Sequence, residues 1–495
     1  MKPPSPLLAR LAAHAPASSA IAAAAGAEGV SYGDLGARAQ AVAGVLAALP
    51  DVPGGAVAFL IEPGAAFVQT LFGIWHAGAL AIPLSPLHAA PELAHVVADA
   101  TPALLVASRA LAPRLAAAAP AVPIAIAEEV VAATPPDTHV ARLHPRADAD
   151  GLMLYTSGTT GRPKGVRLSH AALAATVSSL EEAWRWRRDD RLLHVLPLHH
   201  THGLIVALLG ALWVGAEVRF LPFAAAETWD ALAGASVFMA VPTIYAKLMQ
   251  AFDAAPPAQR TRWTAGARGL RLATSGSAGL PATLHAAFAG ATGLSLLERY
   301  GMTEIGMALS NPLEGPRVAG AVGHPLPGVE VDIVSDDERP CAPGEPGELR
   351  VRTPQMFSGY HGDAAATASS FDADGRFRTG DTGVRDVAGV VRLLGRTSID
   401  IIKSGGYKLS ALEIEAVLLD HPAVAEVAVL GVADATFGEL VTAWVVPRGP
   451  AEPSLAELQA FARERLAPYK LPRALHVIAE LPRNVMGKVQ KQRLR

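Results

Sequence analysis

Two textures of hydrophobic and polar positions divide this chain. In its first part, short runs that are apolar at nearly every position alternate with mixed segments long enough to be helices. Ala56-Val-Ala-Phe-Leu-Ile61, Ala103-Leu-Leu-Val-Ala107 and Gly151-Leu-Met-Leu-Tyr155 are such runs, and a helix-like segment follows Ser169. A strand with no polar side needs cover on both faces, which parallel sheets flanked by helices provide. The pattern persists through Leu270-Arg-Leu-Ala-Thr274 and predicts an α/β architecture. From Pro327 the period changes. Val329-Glu-Val-Asp-Ile-Val334, Gly347-Glu-Leu-Arg-Val-Arg352 and Val390-Val-Arg-Leu-Leu394 alternate polar with apolar between Gly, Pro and Asp. That period of two predicts a small antiparallel sheet or barrel. A last unit begins near Ser398, with a helix over Ser410 to Leu419 and a strand over Val424 to Leu430.

Composition narrows the class. A length of 495 residues suggests about three core-forming units. Lys+Arg 42 against Asp+Glu 45 leaves a net charge of −3, without the electrostatic footprint of a nucleic-acid partner. The single Cys341 excludes a disulfide framework and a cysteine-built metal site, and suits a reducing cytosol. The longest membrane-like stretch, Val195 to Ala216, has no Asp, Glu, Lys or Arg but holds Pro197, His199, His200 and His202. Those residues are costly in lipid, so the stretch reads as buried core and not as a membrane anchor. Met1-Lys-Pro-Pro-Ser5 lacks a signal-peptide layout. The expectation is a soluble, cytoplasmic protein whose partners are small molecules.

The densest chemical signal is Thr156-Ser157-Gly158-Thr159-Thr160-Gly161-Arg162-Pro163-Lys164-Gly165. Small residues between a strand and a helix expose backbone N–H groups and hydroxyls together, as a phosphate chain requires, and Lys164 adds a cation. Pro163 stands where an NTPase P-loop needs Gly, and no G-x-G-x-x-G is present. Arg299-Tyr300-Gly301-Met302-Thr303-Glu304 is the second signal. Glu304 can hold Mg²⁺, Tyr300 offers a face for adenine, and the Thr303 hydroxyl can reach a phosphate oxygen. Thr379-Gly380-Asp381, Gly395-Arg396 and Pro482-Arg-Asn-Val-Met-Gly-Lys488 follow in that order. Leu198-His-His-Thr-His-Gly203 lacks the ligand spacing of a zinc site, and Ser275-Gly-Ser-Ala-Gly279 lacks the first Gly of a hydrolase elbow.

In this order and spacing the motifs resemble the adenylate-forming superfamily of acyl-CoA synthetases, peptide-synthetase adenylation domains and firefly luciferase. The resemblance implies ATP, Mg²⁺ and coenzyme A. It also implies a large N-terminal domain over 1–397, with the β-rich subdomain at about 327–397, and a small mobile α+β C-terminal domain over 398–495. Residue by residue, it gives the 156–161 loop and Lys164 to the phosphates and Thr160 with Glu304 to the metal. Asp381 falls to the ribose, and Arg396 to the ribose or phosphate side. Ser277 and Ala278 line the adenylate and acyl site, His200 gates the acyl pocket, and Lys488 is the catalytic lysine that stabilises charge at the α-phosphate. Gly405, Gly406 and Lys408 face the adenylate when coenzyme A reacts. Acetylation of Lys488 by a lysine acetyltransferase would cancel its charge.

Leu196-Pro-Leu-His-His-Thr-His-Gly203 with Glu298-Arg-Tyr-Gly-Met-Thr-Glu304 resembles the malonyl-CoA and methylmalonyl-CoA synthetase branch. Arg299 is its physically telling member, because a guanidinium can pair bidentately with the far carboxylate of a dicarboxylic acid. Thr201 and Met302 would bound the space beside the methylene carbon. The alternatives are a short or medium-chain fatty acyl-CoA synthetase with a structural Arg299, paired to Glu298 or solvent, and more distantly a luciferase-like oxygenase. One departure concerns the hinge, which falls at Ser398 or Asp400 because the segment before Gly405 is one residue longer than the family pattern.

Overall fold

The computed structural model describes residues 4–23, 28–133, 145–157, 163–397, 399–404, 407–434, 436–483 and 489–494. The apolar runs become inner strands. Ala56–Leu60 pairs in parallel with Leu80–Pro83 on one side and Leu104–Ala107 on the other. They belong to a seven-stranded sheet that continues through Asp150–Ser157 and Pro163–Ser169 to Gly359–Tyr360. The last two junctions are antiparallel, so a hairpin carries the phosphate-loop motif at one side of a parallel sheet. Ser169 ends that hairpin and caps the helix His170–Trp184, its hydroxyl accepting the Ala172 N–H at 3.1 Å.

A second sheet has nine strands, and its centre carries the other early motifs. Leu272–Ser275 pairs in parallel with Val237–Ala240 and Leu297–Met302. Leu297–Met302 then pairs antiparallel with Gly306–Ser310, setting Arg299 opposite Ser310. The helix His170–Trp184 is pinned to this edge by the Trp184 indole N–H, which donates to Ser310 Oγ at 2.9 Å.

Most of the stretch from Val195 to Ala216 is core, with His199 and His202 buried and Pro197 exposed at its start. His202–Leu209 winds as a π-helix whose eight residues are all buried. Gly203 is required there, because a Cβ would strike the Pro197 carbonyl oxygen. No described helix is long and apolar enough to cross a membrane.

Beyond Pro327 the alternating segments form an antiparallel sheet in the order Glu330–Val334, Gly347–Arg352, Phe377–Arg385, Val391–Arg396. The final described stretch builds a mixed sheet around Val424–Asp434 and Gly438–Pro447. The helix Ala411–Leu419 is capped by Ser410. Ile402, Leu409, Ile414, Leu418, Val429 and Val441 form a core of their own, separate from the cluster that runs from Leu7 to Val391.

Candidate active site

The hairpin register sets Thr156 opposite Lys164 and Ser157 opposite Pro163. Leu152 and Leu154 anchor it in the core. Gly158, Thr159, Thr160 and Gly161 lie outside the described residues, and only the backbone of Ser157 is described. Lys164 Nζ is 3.3 Å from Asp363 Oδ2 and 5.1 Å from the centre of the Tyr360 ring. The Tyr360 hydroxyl donates to Glu304 Oε1 at 3.1 Å. Lys164 and Glu304, distant in sequence, are thus joined through one tyrosine. Burial pushes the Glu304 carboxyl up, against the pull of that hydroxyl. A buried carboxylate short of positive partners fits a hard cation, which needs only one or two protein oxygens when it also binds phosphates.

A second group is already assembled. The register of the antiparallel sheet sets Asp381 opposite Arg396. Arg396 Nε lies 2.9 Å from Asp381 Oδ1, and its Nη1 donates to the Thr379 carbonyl at 3.0 Å. The Tyr300 hydroxyl donates to Asp381 Oδ2 at 2.5 Å. Tyr300, Asp381 and Arg396 therefore hold one another before any ligand arrives. Tyr300 is 8% exposed and its hydroxyl is committed, so its ring face is the part available to a base.

Arg299 differs from its neighbours in the strand. It is 4% exposed, and its Nε and Nη2 have no hydrogen-bond partner among the described residues. Glu298, next in sequence, faces elsewhere and accepts the Gly320 N–H at 2.8 Å, so the pairing of Arg299 with Glu298 is not formed. Burial pulls the Arg299 pKa down to about 10. The guanidinium lies against Gly276, where a Cβ would sit 2.5 Å from its central carbon. Neither ring nitrogen of His202 has a hydrogen-bond partner among the described residues, and burial and then the Arg299 charge hold its pKa well below the usual range.

The residues expected to line the acyl site come from three segments. Thr201 Oγ1 is 2.9 Å from Thr303 Oγ1, joining the histidine segment to the Tyr-Gly-Met-Thr-Glu segment. Met302 is half-buried against the main core. The His200 ring lies against His199 at a tilt of 52°, ring centres 4.0 Å apart, and burial pulls its pKa down to about 4. Ser277 and Ala278 are exposed, and Ser277 has a φ of 69°, a left-handed conformation that non-glycine residues adopt at a cost. Lys408 sits by its backbone in the strand Tyr407–Ser410, while Gly405, Gly406, Ser398 and Lys488 fall outside the described residues. Tyr360 and Asp363 went unread in the sequence. Their one signal is the Gly-punctuated turn Ser358-Gly-Tyr-His-Gly-Asp363, which resembles many turns.

The chain matches the AMP-binding enzyme family over residues 8–361 and the AMP-binding enzyme C-terminal domain over 413–488. It belongs to the AMP-binding enzyme family. Within that family it is 42% identical over 472 residues to a mouse mitochondrial malonate–CoA ligase, ACSF3, covering 88% of this chain and 81% of the relative. The ATP-bound MatB structure from Rhodopseudomonas palustris is 37% identical, with a TM-score of 0.90 over 99% of this chain and 98% of that one. A malonyl-CoA ligase product complex with methylmalonyl-CoA and AMP is 38% identical, with a TM-score of 0.70 over 97% and 100%. These adenylate-forming relatives share the large and small α/β units found here.

Proposed function

We propose that this AMP-binding enzyme is a malonate–CoA ligase, accepting methylmalonate second, and that the buried unpartnered guanidinium of Arg299 is what selects the dicarboxylate. One carboxylate of the acid attacks the ATP α-phosphate, pyrophosphate leaves, and an acyl-adenylate forms. The coenzyme A thiol then attacks the acyl carbon, giving the thioester and AMP. Splitting the reaction gives a poor acyl donor a good leaving group.

The chain's own groups divide the work. Lys164 and the 156–161 loop hold phosphates, with Thr303 beside them. Asp381 and Arg396 hold the ribose side next to Tyr300. Lys488 stabilises the charge that builds as pyrophosphate departs. Glu304 with Thr160 would hold Mg²⁺, which when bound would supply charge neutralisation at the phosphates. Arg299 takes the far carboxylate, with Thr201, Met302 and Ser277 shaping the space around it and His200 closing it. The domain boundary at 397/398 lets Gly405, Gly406 and Lys408 replace Lys488 for the second step. The cytoplasmic location and control by acetylation of Lys488 belong to the same reading.

The test is Arg299→Leu in a pyrophosphate-release assay. Removing a charge-assisted contact of roughly 1.5–3 kcal/mol should lower malonate kcat/KM at least about 10- to 150-fold. Butyrate activity should hold or rise. Equal loss on both acids would assign Arg299 to the fold or to ATP, and unchanged malonate activity would remove its role altogether.

A further inference from the structure

One ammonium in the C-terminal part sits between two carboxylates that the reaction as described does not use. Lys491 Nζ lies 2.6 Å from Asp400 Oδ1 and 2.6 Å from Glu415 Oε1, with the three side chains only 10%, 13% and 16% exposed. Each carboxylate has further bonds. Asp400 Oδ2 accepts the Arg396 N–H at 3.0 Å, and the Asp400 N–H donates to the Arg396 carbonyl at 2.7 Å. The Ala411 N–H donates to the Asp400 carbonyl at 2.7 Å. Glu415 Oε1 also accepts the Val429 N–H at 2.6 Å. Through one cation, the turn after Arg396, the helix Ala411–Leu419, the strand Val424–Asp434 and the terminal segment are tied together.

The terminal segment matters because its first residues pair with those that precede the 484–488 stretch. Arg483 and Val489 form an antiparallel bridge, and the Gln490 N–H donates to the Pro482 carbonyl at 2.7 Å. Leu481 and Val489 pack with Leu430 and Trp444. The two flanks of the segment that carries Lys488 are therefore joined, and Lys491 fastens that joint to the turn beside Arg396.

Stability alone is a poor reason for this cluster. Taking three charges out of water is costly, and apolar side chains of similar volume give equal or greater stability. Burial works against the Lys491 ammonium, yet Glu415 and Asp400 outweigh it and its pKa is raised. What a charged triad supplies and an apolar one does not is a fixed direction for each member.

We propose that Lys491 is a positioning residue: with Asp400 and Glu415 it holds the joined flanks of the Lys488 segment to the turn after Arg396, serving adenylation and not thioester formation. This rests on the role given to Lys488 above. The cation works through the backbone of its own segment and through Asp400, and makes no contact with the reacting atoms.

The experiment uses the full chain and the two half-reactions separately. Lys491→Gln should lower kcat for pyrophosphate release by about 10-fold or more, as small misplacements of a catalytic group do, with KM for ATP and malonate little changed. Thioester formation from supplied acyl-adenylate and coenzyme A should stay near the parent rate. Lys491→Arg should restore most of the adenylation, and Glu415→Gln should give the same split if Lys491→Gln does not fold. Equal loss in both half-reactions, or none in either, overturns the inference. Lys488→Ala is the control. If it keeps pyrophosphate release, the reading of Lys488 fails. If it loses that activity while Lys491→Gln and Glu415→Gln retain it, this inference alone fails.

Discussion

Two buried guanidiniums in this enzyme live in opposite circumstances. Arg350, in the strand Gly347–Arg352, has a side chain 5% exposed and is surrounded by Glu338, Asp372 at 3.3 Å and Glu348 at 3.4 Å. Its hydrogen bonding to Glu338, opposed by burial, raises its pKa. Arg299 is as deeply buried, has no carboxylate partner among the described residues, and is pulled down instead. A charge whose counterions are supplied by the chain holds a fold together. One whose counterion is missing is an exception to the rule that buried polar groups are satisfied, and such exceptions cluster where a ligand completes them.

The comparison breaks first at Arg350. Arg350→Leu strands its carboxylates and should lower unfolding stability by about 3 kcal/mol, the low end for a buried pair because Glu338 is half-exposed. A urea-denaturation midpoint measures this, and kcat of the folded fraction should not change. A fall in kcat at an unchanged midpoint would make Arg350 a functional residue and erase the contrast.

Arg299 should respond to its ligand. With a non-hydrolysable ATP analogue present, malonate at 100 times its Kd should stabilise the parent by about 2.7 kcal/mol, raising Tm. Arg299→Leu should lose that shift, yet without malonate it should melt no lower than the parent, since an uncompensated buried charge has gone. A lower Tm of the ligand-free variant would reveal a partner inside the chain.

Glu298 sharpens the contrast from the adjacent position. Burial pushes its carboxyl up to about 7, against the pull of the Gly320 and Leu280 backbone. The folded state thus binds a proton more tightly than the unfolded chain. Its contribution is complete below the unfolded carboxyl range and is lost as pH rises through about 7, at no more than about 1.4 kcal/mol per pH unit. Glu298→Gln keeps an acceptor for Gly320 and should flatten that part of the stability–pH curve. A slope unchanged in the variant would assign the titration to another group.

The α/β texture was legible because strands buried on both faces must be apolar along their length, as Ala56–Leu60 is. The motif residues stood out because few side chains suit phosphate and ribose chemistry, and the fold brings three of them, Tyr300, Asp381 and Arg396, together. The isolation of Arg299 was not. It depends on the register with Gly306–Ser310 and on Glu298 facing Gly320, which only the folded sheet decides. Tyr360 was hidden for a similar reason, since its contacts to Glu304 and Lys164 join stretches far apart in sequence. The π-winding of His202–Leu209 is also invisible in an apolar run that any buried helix could share.

The seat of Arg299 against Gly276 imposes an order on change. A methyl group at 276 would land 2.5 Å from the guanidinium carbon, so Gly276→Ala displaces the arginine from where it now lies. Once position 299 is leucine, the same methyl enters vacated room. The two substitutions are therefore non-additive, harmful in one sequence and harmless in the other. If Arg299 takes the second carboxylate as proposed, a lineage leaving dicarboxylic acids for uncharged ones passes through 299 first, and one returning must clear 276 before the arginine can be seated again.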